Sequence, residues 1–497
     1  MKKLALLCLC FISISIFAQK VSKMPESKLS QKETETHLRI LAADEMMGRR
    51  TGEMGNNMAA RYIAEQFRTL GLKPAGDNGS FYQKVPFKNT KPNTEGYMTI
   101  GDSTLKVMDD FITYDGKAID VQNVPVVFAG AGWVEGDYDD YKGLDVKGKI
   151  VIATFGTNKG TDPMASFEAS AKKTKIAAEK GAVALIELVQ INVPWRNIVR
   201  YFGGGGLQLD MNDPAKAAMP HYWVGSSRVK LLAKDKVQTL SIKTMNDVSI
   251  PVMSQNVAAI LEGSDPTLKN EYIVLSAHYD HVGTGRNGGN KFTAEDSIFN
   301  GARDNAFGVS AVLYAAKCLT TMKPKRSILF LGFTGEELGL LGSRYYGEHP
   351  LIPMKQCMFN LNCDGAGYND VTALTTIGLS RTDCKTEMEI AAKAFGLKII
   401  DDPAPEQNLF DRSDNVNFAK YGVPAPCFSP GLKAFDEAIF KYYHQATDNP
   451  ETIDFNYLHK YCQSYAYAAR LIANRKDQPK WTAGDKYEAA YKTLYGK

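Results

Sequence analysis

A chain of 497 residues with 44% hydrophobic and 23% charged side chains has the composition of a globular protein too long for one simple core, so two or three domains are expected. Its 59 Lys and Arg against 55 Asp and Glu leave a formal charge of only +4, with no basic arm or polybasic stripe, which excludes a nucleic-acid-binding protein as the expected class. Beyond the first residues no run is long and apolar enough to span a bilayer, so no stable membrane insertion is expected.

The opening MKKLALLCLCFISISIFAQK sets Lys2 and Lys3 before an apolar run and the small residue Ala18. That is the layout of a signal peptide over residues 1–18, and it predicts an exported protein, periplasmic or secreted. Residues 19–117 form the first part of the main domain. Within them MAARYIAEQFRTLGL puts Ala60, Ile63, Ala64 and Phe67 on one helical face, Gly71 ends the helix, and alternation from Tyr82 to Tyr114 predicts strands. Residues 118–250 differ in texture: VPVVFAG, GKIVIATFG and AVALIELV are short β-branched runs with a helical SFEASAKKTKIAAEKG between the last two, which predicts a small β-rich inserted domain. Its YFGGGGLQLDM reads as a mobile surface loop, since no strand-to-helix transition follows that would make a phosphate cradle.

From 251 to 475 strand and helix alternate. Strands are predicted at EYIVLSA, SILFLGF, CMFNLNC and APCFS, and helices at NAFGVSAVLYAAKCL, EELGLLGSRYYG, CKTEMEIAAKAFG and FNYLHKYCQSYAYAARLIA. Such repetition predicts an α/β fold with a mostly parallel, mixed sheet sandwiched by helices, followed by a C-terminal tail over 476–497. Cys318, Cys357, Cys363, Cys384, Cys427 and Cys462 form no C-x-x-C and read as small buried apolar residues. Gly283, Gly285 and Gly288 spell G-x-G-x-x-G, but NKFTAEDSIFNGARD after them opens no helix to receive a pyrophosphate, so they read as a flexible loop.

In α/β sheets function gathers at the carboxyl ends of the strands. There VLSA runs into His278, LFLGFTG into Glu336 and Glu337, and FNLNC into Asp364, while Asp304 stands at the entrance to the next long helix and His444 in the polar turn YYHQATDNP. Each has an ordinary explanation: a satisfied histidine, first-turn acids favoured by a helix dipole, or an N-cap aspartate. Those readings leave unexplained why all of them fall at one end of the sheet. Two imidazoles and three carboxylates, with Glu336 as an additional carboxylate, make a ligand set suited to zinc or a similar divalent ion.

AHYDH, NGARDNAFG, FTGEELGLLGSRYY, NLNCD and YHQATD together resemble the zinc aminopeptidase family that includes aminopeptidase Y, glutamate carboxypeptidase II and transferrin receptor. DEMMGRRTGEMG fits the same pattern, and GWVEGDYDDYKGLDVKGKIVI, the helix after it and GAVALI resemble the protease-associated domain found inserted in exported peptidases. The resemblance implies a zinc-exopeptidase-like catalytic domain holding two zinc ions, with Asp304 bridging them. It implies His278 and Asp364 as further ligands of one metal, Glu337 and His444 as further ligands of the other, Asp280 as hydrogen-bond partner of His278, and Glu336 as general base. The implied activity is removal of N-terminal residues from peptides with a free N-terminus. Zinc glutaminyl cyclase, carboxypeptidase and a non-catalytic receptor-like relative are the alternatives, the carboxypeptidase needing a cation such as Arg303 or Arg412 for a terminal carboxylate. Arg303, Phe307 and Phe410 depart from the family pattern, Phe410 standing where some relatives place an oxyanion-binding tyrosine. His281 is a ligand by type, but its place in AHYDH gives it a structural role. Oligomeric state and side-chain preference are not legible.

Overall fold

The computed structural model describes residues 24–114, 117–160, 163–211, 219–234, 237–289 and 291–497. The expected leader, residues 1–18, lies outside them. Tyr272–His278 (β3), Ser327–Phe333 (β4) and Cys357–Cys363 (β5) are buried along almost their whole length, as strands covered on both faces must be. With Tyr82–Lys91 (β1), Val248–Leu261 (β2), Ala373–Ile377 (β6), Lys398–Ile400 (β7) and Cys427–Pro430 (β8) they form a sheet in the order β1-β2-β4-β3-β5-β8-β6-β7. Strands β4, β3, β5 and β8 run parallel, while β2 is antiparallel to β4, and β6 to β8. This is the mixed α/β sheet the sequence predicted. His278 pairs with Phe333 and Ser276 with Asn362, so β3, β4 and β5 finish in step and their carboxyl ends share one edge.

Alternation along the strands builds a core on each face. Ile273, Leu275, Ile328 and Phe330 face one way, packed with Leu38 and Leu41 of helix α1 (Gln31–Leu41), Ile63 and Phe67 of α2 (Met54–Thr69), Val312 of α3 (Phe307–Thr321), Met388 of α5 (Lys385–Ala394) and Leu458 of α6 (Phe455–Ala473). Val274, Leu329, Leu331 and Phe333 face the other way, with Tyr346 of α4 (Leu341–Glu348), Phe418, Trp481 and Tyr491 of α7 (Glu488–Tyr495). The C-terminal segment expected as a tail thus joins this core, and Trp481 Nε1 donates to the Gly422 carbonyl at 3.0 Å. Helix α6 spans the residues its periodicity predicted. Asp454 caps it by accepting from Tyr457 N, and the hydroxyls of Tyr461 and Tyr465 pin it to the Phe428 and Leu361 carbonyls of β8 and β5. Six cysteines, Cys318, Cys357, Cys363, Cys384, Cys427 and Cys462, are free and buried. Among the described residues no helix is long and apolar enough to cross a membrane.

Phe87–Val252 form a second compact unit. Its eight-stranded sheet runs in the order Ser103–Lys106, Gly96–Ile100, Thr239–Thr244, Ile119–Phe128, Ile150–Thr154, Ala184–Val189, His221–Gly225, Phe111–Thr113. The inserted domain was expected over 118–250. The unit begins earlier because Gly96–Ile100 pairs with Thr239–Thr244, and Phe111–Thr113 with His221–Gly225, partners too distant in sequence for local alternation to reveal. The four-glycine stretch is not simply a loop. Gly206–Leu209 is a strand on Phe87–Thr90, and Gly205 must lack a side chain, since its φ is +68° and a Cβ would lie 2.1 Å from the Thr90 carbonyl oxygen. Inside this unit Glu187 is buried with Lys173 at 2.5 Å and His221 at 2.9 Å, and Lys173 also donates to the Thr154 carbonyl. Breaking a buried pair leaves an uncompensated charge, so Lys173→Met is expected to destabilise this unit by about 3–5 kcal/mol in urea denaturation, against less than about 1 kcal/mol if the pair behaved like a surface one.

Candidate metal centre

His278 is the last residue of β3, and the chain continues buried through Tyr279, Asp280 and His281. Glu336 and Glu337 follow β4 in a turn with Gly335 at φ 72° and Leu340 at φ 62°, and helix α4 begins only at Leu341. They are therefore not the first-turn acids of a helix predicted over EELGLLGSRYYG. Their backbone N–H groups instead donate to the two Asp280 carboxylate oxygens at 3.2 and 3.4 Å, and Thr51 Oγ1 donates to Oδ2 at 2.9 Å. Asp280 thus ties the end of β3 to the turn after β4. Its carboxylate lies 3.7 Å from His278 Nδ1, beyond hydrogen-bond length, while the Asp280 carbonyl oxygen is nearer to that nitrogen at 3.3 Å.

Asp304 lies in an irregular segment, Ala302–Ala306, with φ −117° and ψ 94°, and the Asp304–Asn305 peptide is cis. Asn305, not Asp304, serves the helix that follows: its Oδ1 accepts from Gly308 N at 3.0 Å and its Nδ2 donates to the Cys363 carbonyl at 2.8 Å. Relieved of capping, Asp304 places Oδ1 3.3 Å from His278 Nε2 and Oδ2 3.2 Å from His444 Nε2. Asp364, just past β5, lies 3.1 Å from His278 Nε2, and its other oxygen accepts from Ser413. Glu337 Oε2 lies 3.0 Å from His444 Nε2. Donor atoms of His281, Asp304, Glu337 and His444 form one group and those of His278, Glu336 and Asp364 another, all within 4.8 Å of one another in each. Every residue read from the sequence as a ligand or base is therefore in one place. His281 joins the first group, its Nδ1 being 2.6 Å from Glu337 Oε1.

Burial alone would raise the Asp304 carboxyl, but His278 and His444 hold it well below the usual carboxylate range. Burial and Asp304 push Glu337 up, yet His281 and His444 bring it down to about 2. Burial disfavours the charged form of His444, but hydrogen bonds to Asp304 and Glu337 raise it to about 10. Glu336 is pushed well above its ordinary value by burial, with His278 opposing and Asp364 and Glu337 adding to the rise. The donor atoms of these imidazoles and carboxylates converge in two groups, and imidazole with carboxylate is the chemistry of zinc. His281 Nε2 is buried without a hydrogen-bond partner. The donor set fits divalent metal.

An open cleft of about 630 Å³ lies over these groups, its walls including Ile377, Leu409, Leu432 and Phe435, with Arg412 and Tyr443. Arg303 is not available to a substrate carboxylate. It is buried, ion-paired to Asp448 at 2.9 Å, bonded to Thr452, and stacked over Tyr442 at 3.7 Å. Phe410 is buried against Trp481 and Tyr487. Two residues were missed from sequence. Tyr443 lines the cleft and stacks on His444 with ring centroids 4.2 Å apart, a role only its place beside a ligand could have signalled. Arg49 is fully buried and donates to the carbonyls of Leu41, Tyr279, Asn300 and Gly301, binding the segments on which His278, Asp280 and Asp304 stand. One arginine in DEMMGRRTGEMG carries no sign of that reach.

An α/β sheet with a histidine–carboxylate centre at the carboxyl ends of its parallel strands defines the class: an α/β protein with a candidate two-metal site. The chain matches the model of peptidase family M28 over residues 256–469. It is 26% identical over 271 residues to aminopeptidase YwaD of Bacillus subtilis, covering 53% of this chain and 54% of that protein. To a vacuolar membrane protease of Saccharomyces cerevisiae it is 26% identical over 234 residues, covering 45% of this chain and 21% of that protein. The chain thus spans about half, or less, of the length of the curated relatives it matches. The fold is similar to that of an aminopeptidase from Aneurinibacillus sp. strain AM-1, with a TM-score of 0.52 and 21% identity over 89% of this chain and 94% of that one.

If these donors take up metal, zinc titrated into chelator-stripped protein raises the unfolding midpoint, the gain in stability being roughly 2.7 kcal/mol per site at a hundredfold excess over Kd. Asp304→Ala, which removes the carboxylate that lies between His278 and His444, is expected to abolish most of that shift in calorimetry.

Proposed function

We propose that the protein is a two-metal zinc aminopeptidase. The observation that carries this reading is the carboxylate of Asp304 set between His278 and His444, with Glu336 held at the same cleft. Asp304, His278 and Asp364 would hold one ion, and Asp304, Glu337 and His444 the other. When bound, such ions lower the pKa of water from about 15.7 towards 7 and polarise a carbonyl.

The protein's own groups do the rest. Glu336, whose carboxyl is raised by burial, accepts a proton from the attacking water and returns it to the leaving amine. Ser413 and Asp280 keep the Asp364 carboxylate and the Glu336–Glu337 turn in position. Of the hydroxyls on the cleft wall, Ser413 is engaged by Asp364 and Ser429 by the Asp364 carbonyl, which leaves Tyr443 as the donor for an oxyanion in place of Phe410. The excess of carboxylates favours a substrate ammonium, and the engagement of Arg303 by Asp448 removes one of the two cations a carboxypeptidase reading would use. Ile377, Leu409, Leu432 and Phe435 offer an apolar wall to the side chain of the N-terminal residue. In the same reading Phe87–Val252 is a protease-associated domain, and the protein is exported.

Cleavage of an unbiased peptide pool tests the assignment. Loss of single N-terminal residues supports it, while C-terminal trimming, or cyclisation of N-terminal glutaminyl peptides without hydrolysis, overturns it. Glu336→Gln is expected to lower kcat by about 10²–10⁴-fold with metal content unchanged, whereas full activity would remove Glu336 from its role. Tyr443→Phe is expected to lower kcat by about 10²–10³-fold at unchanged metal content, and a rise confined to KM would move Tyr443 from oxyanion to substrate binding.

A further inference from the structure

His281 has a place in the centre that the ligand roles leave unexplained. Its ring is buried, its Nδ1 lies 2.6 Å from Glu337 Oε1, and its Nε2 has no hydrogen-bond partner. Glu337 is thus approached from two sides, by His281 at Oε1 and by His444 at Oε2, 3.0 Å away. The two imidazoles are close to perpendicular, at 76°, with centroids 5.5 Å apart. The ring of His281 is fixed from behind. A Cβ on Gly301, which stands at φ +60°, would lie 2.6 Å from His281 Cγ and Cδ2, and the His281 backbone N–H donates to the Arg49 carbonyl at 3.3 Å. This is a side chain held still, aimed at one oxygen of one carboxylate.

We propose that His281 is a positioning residue: by donating from Nδ1 to Glu337 Oε1 it leaves that carboxylate a single oxygen, Oε2, to offer a metal ion beside Asp304 and His444. A carboxylate with both oxygens free can chelate a small ion through both, whereas one whose second oxygen accepts a hydrogen bond binds through one and keeps its orientation. Held by Glu337 through Oε2 alone, an ion bound there would keep more room for substrate. This rests on the reading of the two groups as a two-metal centre, and the structural role that its place in AHYDH gives His281 becomes a device for setting the denticity of Glu337.

The test uses the full-length protein with cobalt as probe, measured by equilibrium dialysis and by visible and X-ray absorption. The wild type is expected to bind two ions with two imidazoles in total in their coordination shells, from His278 and His444. Three imidazoles would make His281 a ligand and overturn the proposal. His281→Ala is expected to lower affinity for one of the two ions by about 10–100-fold, leave the other unchanged, and raise the coordination number of the weakened one. His281→Asn, whose amide can donate from near the Nδ1 position, is expected to restore most of the affinity. An alanine variant with wild-type affinity and spectrum, or an asparagine variant as weak as alanine, overturns the proposal. Fewer than two ions in the wild type instead overturns the two-metal reading beneath it. The count of imidazoles in the wild type needs no variant to fold.

Discussion

The centre depends on one constraint: several carboxylates are buried together at one edge of a sheet, with Asp304 between two imidazoles. Charge of one sign in a low-dielectric place has to be matched or neutralised, and the local backbone is arranged so that it is matched. Asn305 takes over the duties an aspartate before a helix would ordinarily perform, leaving the Asp304 carboxylate to the histidines. Arg303, the next residue back, draws the segment onto Asp448, which lies four residues beyond His444. Asp304 N also points to that carboxylate, at 3.4 Å. The groups furthest apart in sequence are therefore bound to each other through their neighbours.

The strand ends alone would not make the site rigid. Asp280 accepts from the backbone of both glutamates, so the turn after β4 moves with the end of β3. Arg49 reaches the carbonyls beside His278 and Asp280 and those ahead of Asp304, from a segment that precedes the whole sheet. Its burial lowers the guanidinium to about 10 against the pull of Asp304 and Asp280, so it brings positive charge near the centre without pairing directly with a ligand. The candidate site rests as much on what holds these side chains as on the side chains themselves.

The sequence was most legible where chemistry and periodicity coincide. His278, Glu336, Glu337 and Asp364 follow runs that could only be buried strands, and parallel strands bring their carboxyl ends together. Asp304 and His444 were legible by residue type and by family resemblance, since nothing local says that an irregular segment and a left-handed turn will meet. What was not legible depended on distant partners. Arg303 reads as a cleft cation until Asp448 is seen beside it. The strands from Gly96 to Thr113 read as part of the first domain until their pairing with 221–225 and 239–244 assigns them to the inserted unit. His281 was read as structural from its motif, and its hydrogen bond to Glu337 gives that word a specific content.

The insertion of Phe87–Val252, which begins within β1 and ends within β2, also orders events in time. Helices α1 and α2 are synthesised before the inserted unit, whereas β2 and β4, which carry Val257, Ile328 and Phe330, come after it. At ribosomal speeds of about 5–20 residues per second, Leu38, Leu41, Ile63 and Phe67 wait roughly ten to sixty seconds for the residues that cover them. Phe67 meets its aromatic partner Phe330 only when β4 has emerged. The nascent chain therefore carries an uncovered pair of amphipathic helices through the whole synthesis of the inserted unit, and that interval is when a chaperone has something to hold.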